Sequence, residues 1–176
     1  MRVFVAIDLP KNLKEKISKI YRDVRGVRGK FVEPENLHIT LKFLGEQPPH
    51  IVNEISRSLS EISYKSFKIS VSGIGTFNNR VVWLGISDGF ESTLEPHSLI
   101  DEKLKKIGFE KDKNFHPHIT ILRVKQILDK GAFTNFLENY SKKHIGSFVA
   151  KEFKLKRSIL TPQGPIYEDI KVFNLE

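Results

Sequence analysis

The sequence predicts an α+β protein built from two pseudo-symmetric lobes, each an antiparallel sheet with helices, around a central cleft. Three observations predict it. The order of strand and helix signals recurs along the chain, and turn residues join neighbouring strands closely enough for hairpins. A four-residue pattern opening with histidine also stands in a strand of each half, at His38 and again 80 residues later at His118. A chain of 176 residues suits one domain with its own core, taken as residues 1–176.

Arg2 to Asp8 (RVFVAID) alternates around a β-branched run and meets Pro10, the signature of a strand ending at a helix start. Leu13, Ile17, Ile20 and Val24 recur at helical spacing from Lys11 to Val24, and Gly26 and Gly29 supply the stop. His38 to Leu44 is a strand. Pro48 and Pro49 open a second helix with Ile51, Val52, Ile55, Leu59 and Ile62 as its buried stripe. Phe67 to Ile74 and Arg80 to Ile86 form a hairpin across a turn at Gly75 to Asn79.

Val81 to Ser87 (VVWLGIS) then repeats the pattern of Val3 to Leu9. A helix runs through Leu94, Leu99, Leu104 and Ile107 and ends at Gly108. His118 to Val124 is the second marked strand, Ile127 to Tyr140 its following helix, and Phe148 to Leu160 with Ile166 to Phe173 the closing hairpin, reversed at Thr161 to Pro165. The recurrence is too long for a solenoid repeat, so the halves should face each other with the two marked strands at a shared cleft.

Composition narrows the function. No apolar run is long enough to cross a bilayer, and Val3 to Ile7 is too short for a signal peptide, so no membrane role is expected. With no cysteine there are no disulfides, thiolate ligands or thiol nucleophile, and a cytoplasmic location is expected. Lysine and arginine number 29 against 21 acidic residues, a net charge of +8 that favours an anionic partner such as nucleic acid.

The marked strands read His38-Ile39-Thr40-Leu41 and His118-Ile119-Thr120-Ile121. Alternation along a strand turns each His and Thr to one face and the apolar residues to the core. A lone histidine in such a strand is usually an ordinary surface or core residue; two copies in equivalent places point to a site. Imidazole titrates near neutrality, so one ring can take a proton while the other gives one. Threonine hydroxyls can donate to the non-bridging oxygens of a phosphate and hold phosphorus between the rings. The expected chemistry is in-line displacement that requires no cofactor, metal or covalent intermediate.

These motifs, with Arg2-Val3-Phe4-Val5-Ala6, Lys42-Phe43-Leu44-Gly45 and the continuation Leu122-Arg123, resemble the two-histidine (2H) phosphoesterase superfamily, and within it the bacterial and archaeal RNA 2',3'-cyclic phosphodiesterases, historically called 2'-5' RNA ligases. The resemblance covers nearly the whole chain. It implies hydrolysis of a terminal 2',3'-cyclic phosphate to a 2'-phosphate, with His38 as acid and His118 as base. Reversal would give 2',5' ligation, and tRNA fragments are among the implied partners of a monomeric enzyme. Two rival readings are a non-catalytic module that binds RNA ends and a phosphodiesterase for small cyclic nucleotides.

Thr40, Thr120 and Arg123 are the candidate phosphate ligands, and Phe43 and Arg123 the candidate base-stacking groups, each five positions beyond a motif histidine. Strict strand parity puts an offset of five on the opposite face, so these two assignments require a twist or a strand end. His116 and His118 could share a metal, but Pro117 and the lack of a third ligand argue against it. His50, His97 and His144 read as surface residues, and Trp83 as a core residue of its strand. The two glycines of Ser72 to Thr76 read as hairpin geometry, and Arg157, Ser158 and Tyr167 as either cleft-border or plain paired residues. Lysines at 11, 14, 16 and 19 and at 103, 105, 106, 111 and 113 lie on solvated helix faces that could track an RNA backbone.

Overall fold

In the computed structural model, which describes residues 1–176, strand β1 (Arg2–Asp8) lies inside a four-stranded sheet because its run Val3 to Ile7 is apolar enough to be buried throughout. Its neighbours are β3 (His38–Glu46) and β8 (Glu152–Thr161), with β9 (Gly164–Asn174) at the edge, in the order β3-β1-β8-β9. The second sheet has the order β2-β6-β5-β4-β7, from Val27–Phe31, Ile119–Ile127, Val81–Ile86, Phe67–Phe77 and His144–Ala150. Every pairing is antiparallel.

The helices follow their apolar stripes with one exception: of the expected stripe Leu94, Leu99, Leu104 and Ile107 only Leu104 is buried, and that helix turns Thr93, Pro96, His97 and Ile100 inward instead. α1 (Lys11–Ile20) buries Leu13, Ile17 and Ile20 and packs on β7; α2 (Pro49–Ser60) buries Val52, Ile55 and Leu59 and packs on β9 and on the helix that follows it in the chain. α3 (Phe90–Lys105) lies against β3, and α4 (Lys130–Tyr140) against β4. The Asp129 side chain caps α4 by accepting from Ala132 N at 3.1 Å. One continuous apolar core joins residues of both sheets. No helix is long and apolar enough to cross a membrane.

The lobes are not the two halves of the sequence. β8 and β9, from the end of the chain, complete the sheet begun by β1 and β3, while β2 and β4, from the first half, join β5, β6 and β7. Consequently Phe148 to Leu160 is not one strand: the chain leaves the second sheet at Ala150 and enters the first at Glu152. β2 lies where only a helix stop was expected. Its sequence, VRGKF, has a glycine at a position where the pattern needs an apolar residue, and a Cβ there would sit 2.2 Å from the Arg123 carbonyl oxygen. Gly29 is thus required for β2 to approach β6.

Other boundaries move modestly. The first hairpin turns at Asn78 and Asn79, both with positive φ, within the expected Gly75 to Asn79 turn, and Gly75 itself belongs to β4; β6 runs to Ile127, so α4 starts later than its apolar pattern suggested. The β8–β9 turn leans across to the other lobe. Lys30 Nζ donates to Gln163 O at 2.9 Å, and Asn36 Nδ2 donates to Pro165 O at 2.9 Å, bracing one end of the space between the sheets.

Candidate active site

Between the sheets lies a cleft of about 650 Å³. His38, Thr40, Phe43, His118, Thr120 and Arg123 all line it, so the residues chosen from the two motifs converge on one cavity. Arg2, Phe4, Phe77, Ser158 and Tyr167 contribute to its walls. No residue of the lysine-rich helices does.

A β-bulge in each strand resolves the parity problem. In the first sheet Val5 pairs with Lys42 and Ala6 with Thr40, leaving Leu41 without an opposite residue. In the second, Val82 pairs with Leu122 and Trp83 with Thr120, leaving out Ile121. Two successive residues therefore turn to the core, Leu41 with Lys42 and Ile121 with Leu122, and all four are buried. The next residue in each strand returns to the cleft. Phe43 emerges 74% exposed and Arg123 exposed, on the same face as the His and Thr before them.

Both imidazoles are oriented by the same device. His38 Nδ1 lies 2.7 Å from Asn36 O, and His118 Nδ1 lies 2.6 Å from His116 O. A carbonyl can only accept, so each Nδ1 carries the proton, and the neutral ring presents its Nε2 lone pair to the cleft. Thr40 is 2.8 Å from His38 Nε2 and donates its hydroxyl proton to it. Aromatic rings wall in each imidazole: Phe4 and Tyr167 at centroid distances of 5.2 and 5.4 Å from His38, Phe77 and Trp83 at 5.0 and 6.2 Å from His118.

Burial is the main electrostatic influence on both. It pulls His38 down from 6.5 to about 4; the bond to Asn36 O and the Asp8 carboxylate oppose this, and the Lys156 ammonium, with His118 when that ring is protonated, adds to it. His118 is also lowered, again chiefly by burial, with His116 and Arg123 contributing and the bond to His116 O opposing. Asp8 is paired with Lys156 at 2.7 Å and Lys154 at 2.9 Å, and both lysines reach Asp169, making a charge quartet on the same face of the sheet as His38. Asp8 is the ladder partner of His38.

Three groups depart from their sequence assignments. His97 is 6% exposed, stacks on Phe115 at 3.8 Å, and bonds Asp112 at 2.8 Å, because its side of α3 faces the segment before β6. The same cluster holds Lys42, buried, with Asp101 at 2.6 Å and Asp112 at 3.1 Å; nothing in the periodicity marked Lys42, which an alternating strand would have turned to the cleft. His97, Asp101 and Asp112 have the donor types of a metal site, but the Lys42 ammonium already sits on both carboxylates.

Trp83 is the third. Aligning Val81 with Val3 puts Trp83 at the place of buried Val5, but the ladders equate Val81 with Phe4, and Trp83 with Ala6. One residue of slip exchanges the faces of a strand. Trp83 is half-buried beside His116 and His118 on the cleft side, with Gly75 flat against its ring. Of the remaining residues, Ser158 and Tyr167 are ladder partners lining the cleft, whereas Arg157 points away to bond Glu168 at 2.8 Å. His50 and His144 are exposed, His144 at the start of β7, and the two glycines of Ser72 to Thr76 lie within β4.

Two antiparallel sheets that each offer a His-x-Thr strand to a common cleft are the fold of a two-histidine phosphoesterase. Comparison with known proteins gives the family. The family described as LigT like Phosphoesterase matches residues 7–83 and 87–167, and this chain belongs to it. The RNA 2',3'-cyclic phosphodiesterase of Archaeoglobus fulgidus is 46% identical over 178 residues, covering 98% of this chain and 99% of that protein. Among solved structures, TT0787 of Thermus thermophilus superposes with a TM-score of 0.83 at 28% identity, covering 99% of this chain and 97% of that one. E. coli LigT complexed with 3'-AMP gives 0.82 at 27% identity, again over 99% and 97%.

Proposed function

We propose that this protein is an RNA 2',3'-cyclic phosphodiesterase that opens a terminal cyclic phosphate to a 2'-phosphate, with His38 and His118 as its acid–base pair. The observation that carries the reading is the matched pair of imidazoles on one cleft, each with Nδ1 tied to a carbonyl and Nε2 turned to the cavity.

In this mechanism His118 Nε2 takes a proton from water as the water oxygen bonds to phosphorus. The phosphorus–O3' bond breaks in line, and His38 Nε2–H gives its proton to the departing O3'. Thr40 and Thr120 donate to the non-bridging oxygens, and Arg123 balances their charge. Each proton transfer contributes on the order of 100- to 10,000-fold. In the free protein His38 is neutral at pH 7, since burial holds it at about 4. Its role as the acid therefore requires the phosphodiester anion to raise its pKa on binding. A 5'-hydroxyl attacking in place of water would form a 2',5' linkage through the same groups. Phe43, exposed at the rim, is suited to stack the terminal base without reading its identity. The reading takes the enzyme to be a metal-free monomer of the cytoplasm that acts on RNA ends such as those of tRNA fragments.

The test is turnover of a short RNA ending in a 2',3'-cyclic phosphate in excess EDTA. Conversion to the 2'-phosphate by wild type, lost by at least about 100-fold in His38→Ala and in His118→Ala, is expected. Survival of activity in either variant, or no turnover by wild type, overturns the assignment.

A further inference from the structure

The cleft is lined by three cations, Arg2, Lys30 and Arg123, and a single carboxylate, Glu33. Their arrangement is directional. Lys30 stands opposite Arg123 across the β2–β6 ladder, and one step further out Arg28 stands opposite Gln126. Cross-strand partners share a face, so Arg123, Lys30 and Arg28 lie on the cleft side of this sheet, leading from the histidines to its outer edge. Glu33 lies at the opposite end of the β2 segment, toward Asn36 and His38.

Two features make this row more than a solvated face. Like charges directly opposite in a ladder destabilise a sheet, and Lys30 against Arg123 is such a pair. Neither of them, nor Arg28, forms a salt bridge with a carboxylate, whereas Lys154 and Lys156 on the facing sheet are matched to Asp8 and Asp169. Lys30 does donate to Gln163 O, but a carbonyl leaves its charge unneutralised. A row of unmatched cations that costs stability in the free protein is relieved by a chain of anions. Residues two apart on a strand are spaced by about 6.6 Å, comparable to neighbouring phosphates of an extended polynucleotide.

We propose that β2 and β6 form a phosphate track for the RNA strand on the 5' side of the cyclic end, with Arg123 nearest the site, then Lys30, then Arg28. The proposal rests on the cyclic-phosphodiesterase reading and adds its substrate class: an oligonucleotide in preference to a mononucleotide. It also moves the RNA path away from the lysine-rich helices. The plain alternative is that Arg28 and Lys30 only guard an edge strand against pairing with another chain.

The experiment compares a nucleoside 2',3'-cyclic monophosphate with an eight-nucleotide RNA carrying the same cyclic end, across a salt series. Arg28 lies outside the cleft lining, so Arg28→Gln should leave kcat/KM for the mononucleotide unchanged. For the RNA it should raise KM roughly threefold or more, with kcat kept, and should lower the slope of log KM against log salt by about 0.7. The double variant Arg28→Gln/Lys30→Gln should lower that slope about twice as far, while Lys11→Gln on α1 should not change it. Equal effects on both substrates, an unaltered RNA slope, or the same change from Lys11→Gln would overturn the track. A wild type that hydrolyses the mononucleotide but shows no preference for RNA would also overturn it, whereas turnover of neither substrate would instead sink the reading on which it rests.

Discussion

The two histidine strands carry one pattern and one bulge, yet the residues on either side of the bulge differ in a way that divides labour between the lobes. At the buried bulge position the first lobe has Lys42 and the second has Leu122; at the next position, on the cleft, the first has Phe43 and the second Arg123. The lysines packed around the first histidine strand are matched, by Asp101 and Asp112 around Lys42 and by Asp8 and Asp169 around Lys154 and Lys156, and Arg2 alone adds an unmatched cation to this wall of the cleft. Charge in the second lobe is left unmatched on the cleft face. The common geometry supplies two equivalent imidazoles; the differing neighbours give one wall an aromatic rim and the other a cationic one.

The contrast is sharpest at the bulge itself. Lys42→Met removes the cation between two carboxylates, one of which, Asp101, is only 5% exposed. Breaking a buried pair from one side costs about 3–5 kcal/mol. Leu122→Met at the equivalent place in the other lobe conserves volume and should cost less than about 1.5 kcal/mol. Urea unfolding of the two variants measures the difference. Equal losses would mean that Lys42 acts as a hydrophobic stem, and that the two bulges are built alike after all.

On the cleft side the expected effects are smaller and fall on binding. Phe43→Ala removes a face that stacks one base, worth about 1–3 kcal/mol, or roughly 5- to 150-fold in KM for an RNA cyclic end. That loss should be nearly independent of salt. Arg123→Gln should also weaken binding, but with a shallower salt dependence left behind, because a phosphate contact has gone. Matching salt profiles for the two variants would erase the distinction between an aromatic and a cationic wall.

How much of this was legible in the sequence follows from the range of the forces involved. The His-x-Thr pairs, the stripes of α1 and α2 and the turn of the closing hairpin are local patterns, and each stands where periodicity put it; the α3 stripe does not, since Leu94 and Leu99 stay partly exposed while His97 and Ile100 are buried. The bulges are not local. Nothing in Leu41-Lys42 or Ile121-Leu122 announces that both residues turn inward; the ladder partners decide it, and with it the access of Phe43 and Arg123 to the cleft. The exchange of strands between lobes is equally silent, since β4 and β8 have the same alternation whichever sheet they join. Trp83 was misplaced by a single residue, the smallest error that reverses a strand's faces. Lys42 and His97 were missed because each is compensated by carboxylates distant in sequence, Asp101 and Asp112 for Lys42 and Asp112 for His97.

The finest difference between the lobes is in protonation. His38 is pushed to about 4 and His118 is lowered as well, burial being the leading cause for both. Each is harder to protonate folded than unfolded, where the value is 6.5. Between those limits the unfolded chain binds protons that the native protein does not, so stability should fall as pH drops from about 6.5 toward 4 and be unaffected by these groups above that window. His38→Phe should flatten much of that decline if the ring packs in place, which urea midpoints at pH 7 and pH 5 would reveal. NMR titration of the ring carbons gives the functional half of the test. His38 should titrate at about 4 in the free protein and move upward when a nucleoside 2'-phosphate fills the cleft, because the bound anion favours the imidazolium. A His38 value that stays near 4 with the product bound would leave it no proton to give at neutral pH, and would transfer the role of acid to His118.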